Sequence, residues 1–426
     1  MNPEALSEAL RNTHLDDTPT IDEPDQLLFN PSGNSRLPPG ALNNIPRYLF
    51  RVVSPLSDGH TDSTWVRSKA ACQNLLSSQE DIFDNLDPHN RQAVAHALNL
   101  HLRWWSEDGV EDNFVSWTSS LLFALQYIYY RHHHERDGSG LEDTKLYVVD
   151  TKSFPPGTFL RDLDLIEAFF DHNDWDKNGL KKLRTLRKNS DYYFGEYLTQ
   201  GSLRIADKHQ VVSAASLFQD DLMKRLQPHL PNIQDAAGGE PRLANAVRDL
   251  RPLIWPVGTL DPLSAEEMRQ RLLAVGELTN LFDEGWRFPL AVYFSALIGP
   301  EGEGGGDGFT VSNTLLSVYS DEIGKLEIPY FHVIAPKTMP ELGRVKELIS
   351  AIYVDFLVTR STEFLVNAKM LIRHLNPRNV SALEDALPGA QVATRYARPV
   401  RTQLAQFADL HAACEQIVKI CEDPNT

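Results

Sequence analysis

Cysteine is scarce in this sequence, and its scarcity excludes one class of protein. Three cysteines, Cys72, Cys414 and Cys421, occur among 426 residues. An odd and sparse set argues against a disulfide scaffold, and no pair has the close spacing of a metal-binding motif. We therefore expect an intracellular protein, located in the cytoplasm or the nucleus.

Long apolar runs are also missing. The most apolar stretch, Leu290–Gly299, has about half the length that a helix needs to cross a bilayer. The first residues, MNPEALSEALRNTHLDD, lack the basic region and the apolar core of a secretory signal. We therefore expect no transmembrane helix and no membrane partner.

Positive charge is in short supply. The 58 acidic and 41 basic residues give a formal net charge of -17, which opposes attraction to phosphate backbones and anionic membranes. The segment Lys177–Lys188 is a local exception, and we expect it to form a solvated helix face beside Leu180, Leu183 and Leu186. Nucleic acid is therefore not an expected partner.

Several familiar site motifs are absent or incomplete. The Gly-rich segment Glu301–Gly308 lacks the Lys-Ser/Thr pair of a phosphate-binding loop, and no GxSxG segment supports a serine hydrolase. The run His132-His133-His134-Glu135 ends a predicted helix, where neighbouring side chains point in different directions and cannot converge on one ion. We expect no metal cofactor.

What the sequence does contain predicts an α+β protein of two parts. A chain of 426 residues exceeds the usual size of one core, and 42% hydrophobic residues suffice to build a sizeable interior. The composition predicts a loosely attached leader over residues 1–44 and a strand-rich domain over 45–227. A connection rich in proline and glycine follows over 228–262, and a mainly α-helical domain occupies 263–426.

Periodicity and turn residues place the individual elements. Alternating and β-branched patterns predict strands at Arg47–Ser54, Asn113–Thr118, Lys145–Asp150, Tyr192–Leu198, Gly201–Ile205 and Gln210–Ser213. Apolar residues at helical spacing predict helices at Thr64–Leu76, Pro88–Trp105, Leu121–Arg131 and Leu163–Phe170. In the last part of the chain the same spacing predicts helices at Ala265–Phe282, Leu342–Leu375 and Thr402–Cys421.

Three motifs on this framework carry the candidate site. Arg51 lies in the first strand, Ser116-Trp117-Thr118 ends the second strand before an apolar helix, and Glu196 precedes a further strand. Their order and context resemble the arginine, Ser-Thr-Ser, glutamate pattern of ADP-ribosyltransferases. Phe114 before the serine motif and Tyr127 on the next helix occupy places comparable to the aromatic residues of that family.

The resemblance spans roughly residues 47–217 and implies a fold. It implies an N-terminal ADP-ribosyltransferase-like split β-sheet domain with helices, followed by the helical domain. The segment GEYLTQGSLRI reads like the family's glutamate, turn and following strand. The same stretch of the chain also resembles an uncharacterised domain common in filamentous-fungal proteins, and this second resemblance implies no activity.

The resemblance also implies an activity, which is NAD consumption by an ADP-ribosyltransferase or an NAD glycohydrolase. Cleavage of the nicotinamide–ribose bond develops positive charge on the sugar, which Glu196 is expected to stabilise as the catalytic carboxylate. Arg51 is expected to grip the phosphates of NAD, and Ser116 to orient the carboxylate or the ribose. The remaining residues assigned to dinucleotide binding are Trp117, Thr118 and Tyr127.

The departures from the family pattern concern the acceptor. Transferases that modify protein side chains often carry Glu or Gln two residues before the catalytic glutamate, and this chain has Phe194 there. An aromatic ring cannot take a proton from an incoming nucleophile, which favours transfer to water or to another acceptor. Trp117 also replaces the middle residue of the serine motif.

Two non-enzymatic interpretations stay open. In the first, a non-catalytic ADP-ribosyltransferase-like module acts as a ligand- or protein-binding regulator; in the second, a scaffold binds partners through its acidic surface and helical half. Taken singly, Arg51 can form a surface ion pair, Ser116 can cap a helix and Glu196 can lie on a solvated edge. In the enzymatic interpretation, the helical domain recognises a protein acceptor or regulator.

Overall fold

The computed structural model describes residues 26–31, 33, 35–134, 137–173, 178–189, 191–234, 242–256, 263–299, 301, 310–325 and 331–374, with side chains to 360. The chain divides into two compact units, Met1–Ser350 and Ala351–Thr426; the last helix contains residues of both, and every other feature below belongs to the first. The predicted helix Thr402–Cys421 lies outside the described residues. The expected domain boundary at 228–262 stays a prediction.

One antiparallel sheet contains nine strands of the described part of the chain, in the order β3-β4-β8-β5-β2-β6-β9, and β1 and β7 also pair with β8. The strands are β1 Gln26–Leu27, β2 Tyr48–Val53, β3 His60–Thr61, β4 Trp65–Arg67, β5 Phe114–Thr118, β6 Lys145–Asp150, β7 Leu160–Arg161, β8 Glu196–Arg204 and β9 His209–Ser213.

The α-helices alternate with the strands at first and follow them later, which gives a mixed α and β structure with more helix in its second half. Those up to residue 226 are α1 Lys69–Cys72, α2 Pro88–Arg103, α3 Leu121–His133, α4 Asp162–Phe169, α5 Leu180–Asn189, α6 Ala214–Phe218 and α7 Leu222–Leu226. Those beyond it are α8 Leu243–Ile254, α9 Ala265–Thr279, α10 Glu284–Ala296, α11 Val311–Val318, α12 Ser320–Lys325 and α13 Pro340–His374.

Three local predictions differ from the structure. The segment Thr64–Leu76 was expected to be one helix, but it begins with strand β4 because Trp65 and Val66 pair with β8, and only α1 is helical. Two strands were expected around Gly201, and the structure has the single strand β8, which passes through Gly201 at φ +62. The expected connection 228–262 contains helix α8, in which Leu243, Val247, Leu250 and Ile254 are buried and Leu253 is exposed.

The sheet carries a core on each face, and β5 shows how. Side chains alternate along a strand, so Phe114 and Val115 point to opposite faces. Phe114 packs with Leu98, Leu165 and other residues of the first core, whereas Val115 packs in the second core. A β-strand with both faces covered is held in register, because a shift of one residue would exchange the two cores.

The sheet is nearly divided between β5 and β2. Strands β5 and β8 pair over five residues, from Phe114 to Thr118, and β2 and β6 pair along the whole of β2. Strands β2 and β5 share a single paired position, Phe50 with Thr118. Beyond that position, backbone groups of the two strands do not pair with each other and can form hydrogen bonds with side chains.

No helix in the described ranges combines the length and the apolar character that crossing a membrane requires.

Candidate functional site

Three of the residues singled out in the sequence meet at Ser116. Arg51 on β2 donates a hydrogen bond from Nη1 to the backbone oxygen of Ser116, at 2.9 Å. The Ser116 hydroxyl donates to Oε1 of Glu196 on β8, at 2.6 Å. A guanidinium, a hydroxyl and a carboxylate from three distant stretches of sequence therefore lie within one cluster.

Strand register explains this convergence. Thr118 lies opposite Glu196, and Ser116 lies opposite Leu198, so Ser116 and Glu196 are diagonal neighbours on the same face of the β5–β8 pair. Because β2 and β5 pair only at Phe50 and Thr118, the Ser116 carbonyl is left to accept from Arg51. The partial separation of the two strands thus creates the place that the guanidinium fills.

Arg51 carries a charge that no carboxylate of the described residues neutralises by an ion pair. Its second hydrogen bond, from Nε to Oγ1 of Thr61, is 3.4 Å long. Burial lowers the pKa of Arg51 to about 10, so the group stays protonated at neutral pH. A partly buried cation without a counter-ion has a strong tendency to bind an anion.

Glu196, unlike Arg51, has a partner of opposite charge. Arg187 of α5 donates from Nη2 to Oε2 of Glu196 at 2.8 Å and also forms an ion pair with the fully buried Asp162. The prediction that Lys177–Lys188 forms a solvated face is wrong for Arg187, whose side chain is only 11% exposed. It holds better for Lys188, which is 40% exposed and pairs with Glu167.

A histidine and an aspartate that the sequence did not single out complete the cluster. His101, near the end of α2, lies 2.8 Å from the Ser116 hydroxyl through Nε2, and its Nδ1 lies 2.8 Å from Oδ2 of Asp112. Burial lowers the pKa of His101, but Asp112 and Glu196 raise it by more, so the net pKa lies above its ordinary value. Burial raises the pKa of Asp112, and His101 reverses this so that the net pKa is lowered.

Little in the amino-acid sequence indicates these additional residues. His101 belongs to a helix whose apolar period fixes only the buried face, and its contact with Asp112 requires the chain to return through the turn that begins at Trp104. Trp104 ends α2 with φ 57, a left-handed conformation that is rare for a bulky residue. A turn of this kind at a tryptophan has no sequence signature.

The other residues assigned to dinucleotide binding have different positions. Thr118 donates from Oγ1 to the carbonyl of Phe194 at 2.7 Å and so braces the chain before β8. Trp117 is 1% exposed, belongs to the second core and donates to Thr199, because strand alternation turns it away from Ser116. The structure therefore does not bring Trp117 to the cluster.

Tyr127 lies on α3 beside the cluster and takes part in a row of aromatic rings. Burial raises the pKa of Tyr127, against the opposing effect of the guanidinium groups of Arg131 and Arg51. Its ring centroid is 5.2 Å from that of Trp104, a residue that is 54% exposed. The exposed indole therefore offers a flat apolar surface beside Tyr127.

The segment that leads to Glu196 is held from its other side by three residues, Ser120, Arg251 and Glu341, which we call the helix cluster. Arg251 of α8 donates from Nη2 to Oε1 of Glu341 at 2.7 Å, and the Ser120 hydroxyl donates to the same oxygen at 2.8 Å. Arg251 also donates to the carbonyl of Tyr193 at 3.1 Å. Both charged side chains are at most 5% exposed.

Gly195 completes this fixed approach to β8. Its φ of +65 favours glycine, and a Cβ at this position would lie 2.2 Å from Oγ of Ser119. The Ser119 backbone N–H also donates to the Gly195 carbonyl at 2.8 Å. The position of Glu196 is therefore determined both by strand pairing and by the conformation of the preceding residue.

Two cavities lie near this part of the fold. One of about 280 Å³ adjoins Arg51, because Thr61 and Tyr147 are among its lining residues. A larger one of about 390 Å³ is lined by Arg47, Phe154 and His332 among others. Ser116 and Glu196 line neither cavity, so the candidate site is the hydrogen-bonded cluster and not a cavity.

The histidine run at the end of α3 has separate partners. His132 bonds the carbonyl of Ser139 and His133 bonds that of Ile233, each at 2.9 Å. Within the ranges that the structure describes, no group of three or more His, Cys, Asp or Glu residues is placed to hold a metal ion.

Comparison with known proteins gives one match. Residues 44–205 match the family described as "Domain of unknown function (DUF7587)". The match contains Arg51, His101, Ser116 and Glu196 and ends before the helices that carry Arg251 and Glu341. No curated protein and no solved structure matched the chain.

Proposed function

We propose that this protein consumes NAD by cleaving the bond between nicotinamide and ribose, as an ADP-ribosyltransferase or an NAD glycohydrolase. One observation carries the proposal: Ser116 joins an unneutralised guanidinium, Arg51, to a partly exposed carboxylate, Glu196, through contacts of 2.9 and 2.6 Å. NAD presents the two complementary features, which are anionic phosphates and a ribose that becomes cationic during cleavage.

Each side chain has a part in this reaction. Arg51 binds a phosphate oxygen, for which a planar guanidinium offers paired donors. The ribose–nitrogen bond breaks with its electron pair moving to the pyridine nitrogen, so neutral nicotinamide leaves, and Glu196 stabilises the positive charge left on the sugar. An acceptor oxygen then bonds to the ribose and releases its proton.

The acceptor in this proposal is water or a small nucleophile in preference to a protein side chain. Phe194, two residues before Glu196, stacks on Phe123 with centroids 5.0 Å apart and offers no group that could take a proton. The helical part of the chain supplies the recognition of any protein acceptor or regulator. No metal takes part.

Two coarser features support the proposal without being specific to it. The near division of the sheet between β2 and β5 suits an ADP-ribosyltransferase-like split sheet, which we include in the proposal. The exposed free thiol of Cys72 suits a reducing compartment, so the proposal places the protein in the cytoplasm or nucleus.

The test is nicotinamide release from NAD by the purified full chain, measured by chromatography. The wild type should release nicotinamide, and Glu196→Gln should lower the rate by about 100-fold or more while the folded structure is kept. Glu277→Gln is a matched control, since Glu277 is an exposed partner of Arg225. Absence of release by the wild type would refute the enzymatic proposal, and NAD binding without release would favour a non-catalytic module.

Acyl transfer through Ser116 is a second candidate function. Asp112, His101 and Ser116 have the spacing of an acid, base and nucleophile, with two contacts of 2.8 Å. A fluorophosphonate probe should then label Ser116 in the wild type and in Glu196→Gln, and should fail to label His101→Gln. Glu196 opposes this chemistry, because its carboxylate lies 2.6 Å from the hydroxyl that would have to become anionic.

A further inference from the structure

The hydroxyl of Ser116 has two close neighbours but only one proton. It lies 2.6 Å from Oε1 of Glu196 and 2.8 Å from Nε2 of His101. A carboxylate oxygen can only accept, so the contact with Glu196 uses the hydroxyl proton. The contact with His101 is then a hydrogen bond only if Nε2 carries a proton of its own.

The other ring nitrogen is also a donor. Nδ1 of His101 lies 2.9 and 2.8 Å from the two oxygens of Asp112, which also accepts from the backbone N–H of Phe114 at 3.0 Å. A carboxylate beside an imidazole fixes that nitrogen as protonated. Both nitrogens therefore donate, and the ring is an imidazolium.

We propose that His101 is a positioning residue of the NAD-cleaving site: by donating from Nε2 to Ser116, it directs the Ser116 hydroxyl proton to Glu196 and so fixes the orientation of that carboxylate. The inference rests on the function proposed above. It assigns His101 the role of a donor, whereas acyl transfer would need it as a base.

The charges around the ring support the imidazolium. Burial alone would lower the pKa of His101, and Arg51 lowers it further, but the carboxylates of Asp112 and Glu196 outweigh both effects and raise it above its ordinary value. Three charged side chains act on the His101 ring itself, namely Asp112, Glu196 and Arg51. Three others act on its two carboxylate neighbours or on their partners: Lys69 on Asp112, Arg187 on Glu196, and Asp162 on Arg187.

The role predicts a pH dependence with a definite sign. Below the pKa of His101 the ring donates, and the Ser116 proton points to Glu196. When the pH rises through that pKa, Nε2 becomes an acceptor and competes with Glu196 for the same proton. We therefore expect the rate of nicotinamide release to fall at high pH, with a midpoint above the ordinary pKa of histidine.

Two substitutions separate positioning from mere packing. In His101→Gln, the side-chain amide can donate to Ser116 but cannot titrate, so kcat should stay within about tenfold of wild type and the basic limb should disappear. In His101→Phe the donor is lost, and kcat should fall about 10- to 100-fold with KM nearly unchanged. His96→Gln on the same helix is the control, because His96 faces Glu107, and it should leave the pH profile unaltered.

A second measurement is independent of activity. Nitrogen NMR of the full chain with labelled histidine reports the protonation of each ring, and the His101 signals are assigned by their loss in His101→Gln. We expect two protonated nitrogens at neutral pH. A neutral His101 ring with an unprotonated Nε2 at pH 7, or a basic limb that persists in His101→Gln, would overturn the inference.

The two proposals fail in different ways. If the wild type releases no nicotinamide, the proposed function is wrong, and the NMR titration still decides where the Ser116 proton lies. If nicotinamide is released but His101 is neutral, the function stands and the positioning role is wrong.

Discussion

Two polar clusters contact the chain around Phe194, Gly195 and Glu196, and they differ in charge balance. In the helix cluster Arg251 and Glu341 neutralise each other and are at most 5% exposed. On the sheet side Arg51 has no carboxylate partner among the described residues, and Glu196 is 17% exposed. Buried and matched charges serve structure, whereas a partly exposed site with an unmatched charge is suited to binding a ligand.

The same two clusters differ in their relation to the matched family. Arg51, Ser116 and Glu196 all lie within residues 44–205, but Arg251 and Glu341 lie beyond residue 205. The segment that delivers Glu196 to the sheet is nevertheless hydrogen-bonded to Arg251 through the Tyr193 carbonyl. The helical part of the chain thus supports the candidate site from outside the matched region.

The largest effect is expected in the helix cluster. Glu341→Ala leaves the buried Arg251 guanidinium without a carboxylate, and we expect a loss of about 3–5 kcal/mol in the free energy of unfolding, measured in urea. Replacing both residues with apolar ones, Arg251→Met with Glu341→Leu, should restore much of that loss. Glu277→Ala is the exposed control. A loss below about 1 kcal/mol for Glu341→Ala would mean that the pair is not structural.

The next largest effect is expected at Arg51, where the substitution should lower NAD affinity more than it lowers stability. Arg51→Gln is expected to weaken NAD binding about 10- to 100-fold, since a charge-assisted hydrogen bond contributes about 1.5–3 kcal/mol. Calorimetric titration in the Glu196→Gln background measures this without turnover. The variant breaks no ion pair of the described residues but loses the hydrogen bond to the Ser116 carbonyl, so we expect stability to fall by about 1 kcal/mol, less than in Glu341→Ala.

Arg36→Gln is the control for Arg51→Gln, because it also removes one positive charge, and Arg36 is an exposed partner of Asp171 that takes no part in the cluster around Ser116. An equal loss of affinity in both variants would show only a general charge effect. Unchanged affinity in Arg51→Gln would remove the reason for treating Arg51 as a phosphate ligand.

The smallest effect is expected at the aromatic row. Trp104→Ala removes the exposed ring that packs at a tilt against Tyr127, and we expect NAD affinity to fall about 2- to 10-fold, since an aromatic contact contributes about 0.5–1.5 kcal/mol. Trp105→Ala is the control, because Trp105 is also exposed, at 43%, and contacts Arg103. If the two variants bind NAD equally well, Trp104 has no part in the site.

Local patterns predicted the framework of this protein better than its tertiary contacts. The strand Lys145–Asp150 and the start of the helix at Leu121 agree with the structure residue for residue, because a run of aromatic and β-branched residues and a serine cap are local signals. The approach of Arg51, Ser116 and Glu196 was predicted only through family resemblance. Their contacts depend on the β5–β8 register and on the gap beside β2, which no short segment encodes.

The failures follow from the same distinction. His101 and Arg187 reach the cluster because of how their helices are rotated about their axes. The apolar periodicity did not determine whether these polar side chains face solvent or the site. Trp117 is different, because strand alternation already implies that it faces away from Ser116. Applying that rule would have removed Trp117 from the predicted binding residues.

A crystal structure of the Glu196→Gln chain with NAD tests the central claim most directly. We expect the Arg51 guanidinium on a phosphate oxygen, and the nicotinamide ribose within hydrogen-bonding distance of Ser116 and residue 196. NAD bound elsewhere, such as in the 390 Å³ cavity lined by Arg47 and Phe154, would contradict the account. A protein that binds no dinucleotide at millimolar concentration would contradict it equally.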